Sequence, residues 1–204
     1  MKFVQVYCTS FGLSRCHPIK KKSESQETLS LMFKCDGVPL RTIVENPKEQ
    51  SLAEFEHNCR EVDCHLVNNE PYSPWQQASG GCIKKLKKSS SRKLISSGAP
   101  KKLLDHCIEL IAFIRSHTAH IAYELQDEFP ETVITGQTAD ISNICDYDWY
   151  EWVMFLDNIT SYPEDRHTLG RYIGHVIDVR SSLCYKVLKA DRNISCQTMS
   201  GILP

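Results

Sequence analysis

Five basic side chains packed into one short stretch, Lys84, Lys87, Lys88, Arg92 and Lys93, are the residues here whose types and spacing point most directly to chemistry. That chemistry is anion pairing. Lys84 and Lys88 lie four apart, and Lys84 and Lys87 three apart, so on a helix they share a face. Residues 71–104 hold eight Lys and Arg and no Asp or Glu, leaving 16 basic against 25 acidic groups elsewhere. A net charge of −1 therefore conceals a strong asymmetry. Such a block makes a local anion-binding face suited to backbone phosphates, with a merely solvated helix as the plainer alternative.

Other clusters carry less. His57, Cys59, Cys64 and His65 are zinc-ligand types, but Cys59 falls on an inward helical stripe with Phe55. Cys64 and His65 open a strand, where successive side chains point to opposite faces, so a packed core with surface histidines is expected instead of a metal. His117 and His120 are about one helical turn apart without partner cysteines. Glu49, Glu54 and Glu70 are expected to be exposed helix and loop carboxylates. The ten cysteines are scattered singly with no C-x-x-C, so Cys8, Cys35, Cys107 and Cys184 are expected as small buried apolar residues in a reducing compartment.

The elements that must position these residues follow from hydrophobic period and punctuation. Residues 3–9 read as a strand with Val4, Val6 and Cys8 on one face, and Ser10-Phe11-Gly12 as its turn. Residues 13–19 return as a second strand, with Pro18 marking an edge or an end. Ser23 with Gln26 suggests a capping box before a helix buried through Leu29, Met32 and Phe33 and closed by Gly37. A short buried strand is expected over 40–44. Ser51 with Glu54 suggests a second box, opening a helix with Leu52, Phe55 and Cys59 inward, and residues 64–67 read as a strand. After a polar loop over 68–77, the basic helix spans 78 to about 93 with Ile83, Leu86 and Leu94 inward. The break over 96–100 precedes the strongest helical pattern, 101–118, with Leu104, Cys107, Ile108, Ile111 and Ile114 on one side. From Trp149 the pattern changes to short strands, over 152–156, 169–173, 183–188 and 194–199, with turns over 162–165 and 190–193. That spacing suggests a small barrel.

Several strings are more specific than this layout. Lys20-Lys21-Lys22-Ser23-Glu24, Asp36-Gly37-Val38-Pro39, Lys48-Glu49-Gln50 and Glu70-Pro71-Tyr72-Ser73-Pro74-Trp75-Gln76 resemble the integrase region of copia-type retrotransposon polyproteins. So do Ile114-Arg115-Ser116-His117-Thr118-Ala119-His120, Pro130-Glu131-Thr132-Val133, Trp149-Tyr150-Glu151-Trp152-Val153 and Leu169-Gly170-Arg171-Tyr172-Ile173-Gly174. The resemblance implies an α/β fold: an incomplete ribonuclease-H-like integrase core with a C-terminal helix over 1–139, then a small all-β barrel over 140–204. It also implies a degenerate, truncated chain whose first core strand would precede Met1. Loss of that strand would leave unpaired edges and marginal stability unless another chain supplied it.

The resembling family cuts and joins DNA with an Asp, Asp and Glu set that holds two divalent metals, Mg²⁺ in that family. The first Asp would lie on the missing strand. The second corresponds to Glu45, whose additional methylene would displace the ion. The third, eight residues after Tyr72, corresponds to Gly80, which has no side chain to offer. The resemblance thus implies polynucleotidyl-transferase ancestry with an inactive centre and no cofactor of its own. It also places the basic helix against DNA. The barrel's Trp149, Trp152 and Tyr172 are stacking candidates, though core roles are the simpler expectation; Asp146, Asp148 and Glu151 make its entrance acidic.

The expected function is nonspecific DNA binding by an integrase-derived fragment. The alternatives are metal-dependent strand transfer that needs a partner chain, a structural or interaction role, and no function. The partners expected are DNA and either a second copy or a full-length integrase, without a membrane. The longest apolar run, over 103–114, is interrupted by Asp105, His106 and Glu109, and no run reaches the roughly 18 residues of a spanning helix. No signal-peptide pattern opens the chain. An intracellular protein is expected, nuclear if functional, in which the glycosylation-like Asn158-Ile159-Thr160 and Asn193-Ile194-Ser195 carry no meaning.

Overall fold

The computed structural model describes residues 3–44, 52–68, 78–119, 125, 127–138, 141–156, 163, 166–176 and 184–202. The chain divides into two compact units, residues 1–87 with 115–139, and residues 88–114 with 140–204. A mixed α/β region is followed by a closed four-stranded antiparallel barrel, the class expected from the sequence.

The first unit opens on an antiparallel hairpin of β1 (Phe3–Cys8) and β2 (Ser14–Ile19), in register from Phe3 opposite Ile19 to Cys8 opposite Ser14. Gly12, at φ 85°, makes the turn at little steric cost. Strand alternation gives the hairpin two working faces. On one, Tyr7 packs with helix α1 (Ser25–Asp36) and helix α2 (Leu52–Glu61), around buried Leu29, Phe33, Phe55, Cys59 and Cys64. The Tyr7 hydroxyl donates to the Ser25 carbonyl at 3.0 Å, and burial pushes its pKa up to about 12. On the other face Cys8, Ser14 and Cys16 lie together by register, with Ser14 and Cys16 buried. The Ser116 hydroxyl there accepts from the Ser14 amide and donates to the Ser14 carbonyl, both at 3.0 Å.

An ion cluster pins the hairpin. The Arg15 guanidinium donates to Asp36 at the end of α1, with Nη2 to Oδ1 at 2.6 Å and Nε to Oδ2 at 2.9 Å. It also reaches Glu131 Oε2, on α5 (Pro130–Thr135), at 2.9 Å.

Two expectations for this unit need correction. The first helix does not start from a Ser23 box: residues Lys22–Glu24 form a 3-10 turn, and Glu24 occupies the cap position without a side-chain cap bond. The Glu24 carboxylate instead accepts from the Lys20 amide at 2.9 Å. The strand expected as buried over 40–44 is β3 (Arg41–Val44), which alternates exposed and half-buried positions; Leu40 is 91% exposed. β3 pairs in parallel with β4 (His65–Asn68) and with no other strand among the described residues. Covered on one side only, it does not bury both faces. Phe55 and Cys59 of α2 point inward as expected, whereas the Ser51 box lies outside the described residues.

The second unit joins the end of α3 (Ala78–Ser97), most of α4 (Leu104–Ser116) and the barrel. The barrel order is β5 (Trp152–Leu156), β6 (His167–His175), β7 (Cys184–Leu188) and β8 (Ile194–Ile202), closed by β5 pairing with β8. The period-2 pattern sends Val153, Phe155, Tyr172, Tyr185 and Val187 inside. Strand alternation lets Tyr172 fill the barrel while neighbouring Ile173 joins a second core, and the β6–β7 register shifts between Tyr172 and Gly174. That core comprises Leu94, Ala99, Leu103, Cys107, Leu110, Trp149 and Ile173. Gly170 is required by packing: a Cβ there would sit 2.3 Å from Val187 Cγ1.

The α4 stripe is shifted from expectation. Residues Lys101–Leu103 form a 3-10 turn, Leu103 and Leu110 are buried, and Leu104 is exposed. Of the cysteines expected inside, Cys107 is fully buried, Cys8 and Cys184 are half-buried, and Cys35 is exposed; Cys16, Cys59, Cys64 and Cys82 complete the buried set. Among the described residues, no helix is long and apolar enough to cross a membrane.

Candidate nucleic-acid interface

Helix α3 carries the basic candidates, and its burial pattern fixes its phase. Cys82, Leu86, Ser90 and Leu94 are buried at exact four-residue spacing. The stripe expected through Ile83 is therefore turned by one residue, and Ile83 is half-buried. Apolar period alone misses this, because Ser90 counts as polar. The Ser90 carbonyl accepts from the Cys107 thiol of α4 at 3.7 Å, which ties the two helices at this point.

At about 100° per residue, Lys84, Lys88 and Arg92 fall on the face opposite this stripe, with Lys85 and Lys87 flanking it. All five are exposed, and α3 contains no acidic residue. This is a row of cations at roughly 5–6 Å spacing along one helix, the arrangement that pairs with successive phosphates. Lys93 differs: it falls toward the buried side, is half-buried, and its Nζ lies 3.1 Å from Asp148 Oδ1. Lys85 was missed as a candidate, although its place in the same basic block was signal enough.

Of the metal-ligand positions implied by the resemblance, Gly80 alone falls among the described residues. Gly80 lies in the first turn of α3, which contains no acidic residue and reads Ala78, Ser79, Gly80, Gly81. Glu45 lies outside the described residues, as do Glu49 and Glu70. Among the described residues, no group of three His, Cys, Asp or Glu side chains could hold a metal ion. Gly80 itself offers no side-chain oxygen to a divalent ion. His57 and His65 are exposed while Cys59 and Cys64 are buried, so these four do not converge. His117 is buried, and His120 lies outside the described residues.

The barrel's stacking candidates separate sharply. Trp149 and Tyr172 are core residues, 3% and 1% exposed. Trp152 alone is exposed, and the Arg171 guanidinium lies 3.6 Å above its ring. The expected acidic entrance is partly engaged: Asp146 accepts from the Tyr185 hydroxyl at 2.8 Å, and Glu151 accepts from the Asp148 amide at 2.7 Å.

No family model matches the sequence, and no curated protein matches it. Among solved structures, the fold is similar to a chain of the simian T-cell lymphotropic virus intasome, determined by cryo-electron microscopy in complex with the PP2A regulatory subunit B56 gamma. The two share 12% sequence identity at a TM-score of 0.50, over 98% of this chain and 75% of that one. The fold is therefore integrase-like: an α/β region followed by a four-stranded barrel.

Proposed function

We propose that this chain is a copia-type retrotransposon integrase derivative that binds duplex DNA without sequence preference and does not cut or join it. The observation that carries this reading is the cationic row Lys84, Lys88 and Arg92, flanked by Lys85 and Lys87, on the solvent side of a helix without acidic residues. The integrase-like fold supports the ancestry, and the residues of the first turn of α3 support the loss of catalysis. Cations on one rigid face neutralise phosphates and release counterions, which gives affinity without base readout.

The test is binding of the purified chain to labelled duplex DNA across a salt series, beside the variant Lys84→Glu/Lys87→Glu/Lys88→Glu. Wild-type affinity should fall steeply with salt, by a log–log slope of about −0.9 for each phosphate neutralised. The variant should lose measurable binding while keeping its far-ultraviolet circular dichroism. Equal affinity in a folded variant would remove the basis of the proposal.

The interaction reading has one observation in its favour. Among the described residues β1 pairs only with β2 and β3 only with β4, an arrangement to which another chain can add a strand. Concentration-dependent association in light scattering, without DNA, would favour that role.

A further inference from the structure

The alternation that fills the barrel also fixes what its outside presents. Val153, Phe155 and Tyr172 point inward, and Gly170 faces Val187 and Phe155. The residues between them therefore point outward: Trp152, Met154 and Leu156 on β5, and His167, Leu169 and Arg171 on β6. Register joins these as cross-strand pairs, Trp152 with Arg171, Met154 with Leu169 and Leu156 with His167. Paired side chains on one face stand about 5 Å apart, and alternate residues along a strand about 7 Å apart, so they make one continuous patch. Trp152, Leu169 and Leu156 are 48%, 45% and 36% exposed. Single exposed apolar side chains are ordinary, whereas a contiguous set marks a surface that another molecule covers.

The cation at one end narrows what that molecule is. The Arg171 guanidinium carbon lies 3.6 Å from the centre of the Trp152 ring and 4.6 Å from that of Tyr150, and Nη1 donates to the Tyr150 carbonyl at 2.9 Å. Held by these contacts, the guanidinium is preorganised and loses little freedom when its other N–H groups meet a carboxylate. Arg166, exposed next to His167, places a second cation at the far end of β6. Between the two cations the patch is apolar. A phosphate backbone satisfies a guanidinium but brings no apolar group for Leu169 and Met154. An acidic peptide with an apolar residue brings both, and Trp, Tyr and Arg are the side chains that most often anchor such contacts.

We infer that this outer face of β5 and β6 binds a short acidic–apolar peptide segment of another protein, extended along β6, with a carboxylate on Arg171 and an apolar side chain on Leu169 and Met154. In an extended peptide, residues i, i+2 and i+4 share one face at the same repeat of about 7 Å as residues 171, 169 and 167. The matching pattern is acidic-x-apolar-x-acidic, its second carboxylate toward Arg166. The barrel strands pair with each other all round, so the peptide is held by its side chains rather than by joining the sheet, and its composition decides binding. This surface is separate from the cationic row of α3 and does not depend on DNA binding there.

The test titrates the full isotope-labelled chain with a synthetic peptide containing Glu-Thr-Leu-Thr-Glu, to millimolar concentration, and follows its amide and indole signals by nuclear magnetic resonance. The Trp152 indole and the Leu169 and Arg171 amides should shift, while those of α3 stay in place. Peptides with Glu-Thr-Ser-Thr-Glu or Lys-Thr-Leu-Thr-Lys should bind about tenfold more weakly or not at all. Arg171→Gln should weaken binding by about tenfold, as should Leu169→Asp, which alters an exposed position. No shift with the first peptide, equal binding of all three, or shifts confined to α3 overturns the inference. So does displacement by excess duplex DNA, or loss of binding in Lys84→Glu/Lys87→Glu/Lys88→Glu. Self-association of the peptide-free chain that Leu169→Asp abolishes would give the face to a second copy instead, and equally overturn it. The peptide comparison is made on the unaltered chain, so it decides the matter even if a variant folds poorly.

Discussion

Among the described residues the two units hold four strands each and solve the same problem in opposite ways. β5 to β8 close on themselves, so every strand has two neighbours and the interior is filled by the barrel's own side chains. β1 to β4 form two separate pairs, and each strand has one neighbour among the described residues. Their apolar faces are covered by helices, and polar groups do much of the fastening: Arg15 with two carboxylates, Tyr7 with Ser25, and Ser14 with Ser116. Closure makes stability depend on volume and shape. An open arrangement makes it depend on a few specific bonds, each costly to lose because its partner stays buried.

Removing volume from the barrel should have the largest effect. Phe155 is fully buried between Val153, Tyr172, Tyr185 and Val187. Phe155→Ala should cost about 3–5 kcal/mol, since a closed ring of strands cannot collapse into the cavity. Urea unfolding followed by tryptophan fluorescence would measure it. A loss below about 1 kcal/mol would mean the barrel tolerates voids, and the contrast with the open half would fail.

In the open half, the corresponding single change is Arg15→Met. It keeps an apolar stem of similar length but leaves Asp36 and Glu131, 8% and 17% exposed, facing each other without a cation. The expected cost is about 3 kcal/mol, at the lower end for breaking a buried pair because both carboxylates keep some access to water. The double variant Arg15→Met/Asp36→Asn should recover part of the loss. If the double variant were as unstable as the sum of its parts, the bond would not be what holds the hairpin.

The same contrast explains what could be read from the sequence. The barrel was legible because inward positions alternate along each strand: Val153 and Phe155, then Tyr185 and Val187, report the pleat directly. The hairpin was legible for the same reason. The α3 phase was not, because Ser90 is buried without being apolar and Cys82 lies between two glycines and a lysine run. One residue of phase moves Lys93 from the cationic face toward Asp148. The Arg15 cluster was hidden for another reason: its three members are separated by up to 116 positions, and no local period links them. Leu40 reads as core by composition, yet it precedes a strand with a single neighbour among the described residues and stays exposed.

The smallest expected effect concerns pH and belongs to the closed half, where the Glu109–Lys186 ion pair supplements the packing. Glu109 on α4 accepts from Lys186 Nζ of β7 at 2.7 Å and lies 3.7 Å from His106 Nδ1. Burial alone would push its carboxyl up, but the adjacent His106 ring and the charge and hydrogen bond of Lys186 outweigh that and hold it below the ordinary value of 4.5. A carboxylate depressed in the folded state binds fewer protons there than in the unfolded chain. Its contribution is therefore complete above about pH 4.5 and is lost as pH falls through the lower folded value. Wild-type stability should fall more steeply below pH 4.5 than that of Glu109→Gln, which lacks the titrating group, while the variant is the less stable at neutral pH. Parallel acid limbs would show that the pair is not felt in folding, leaving the barrel held by its apolar interior alone.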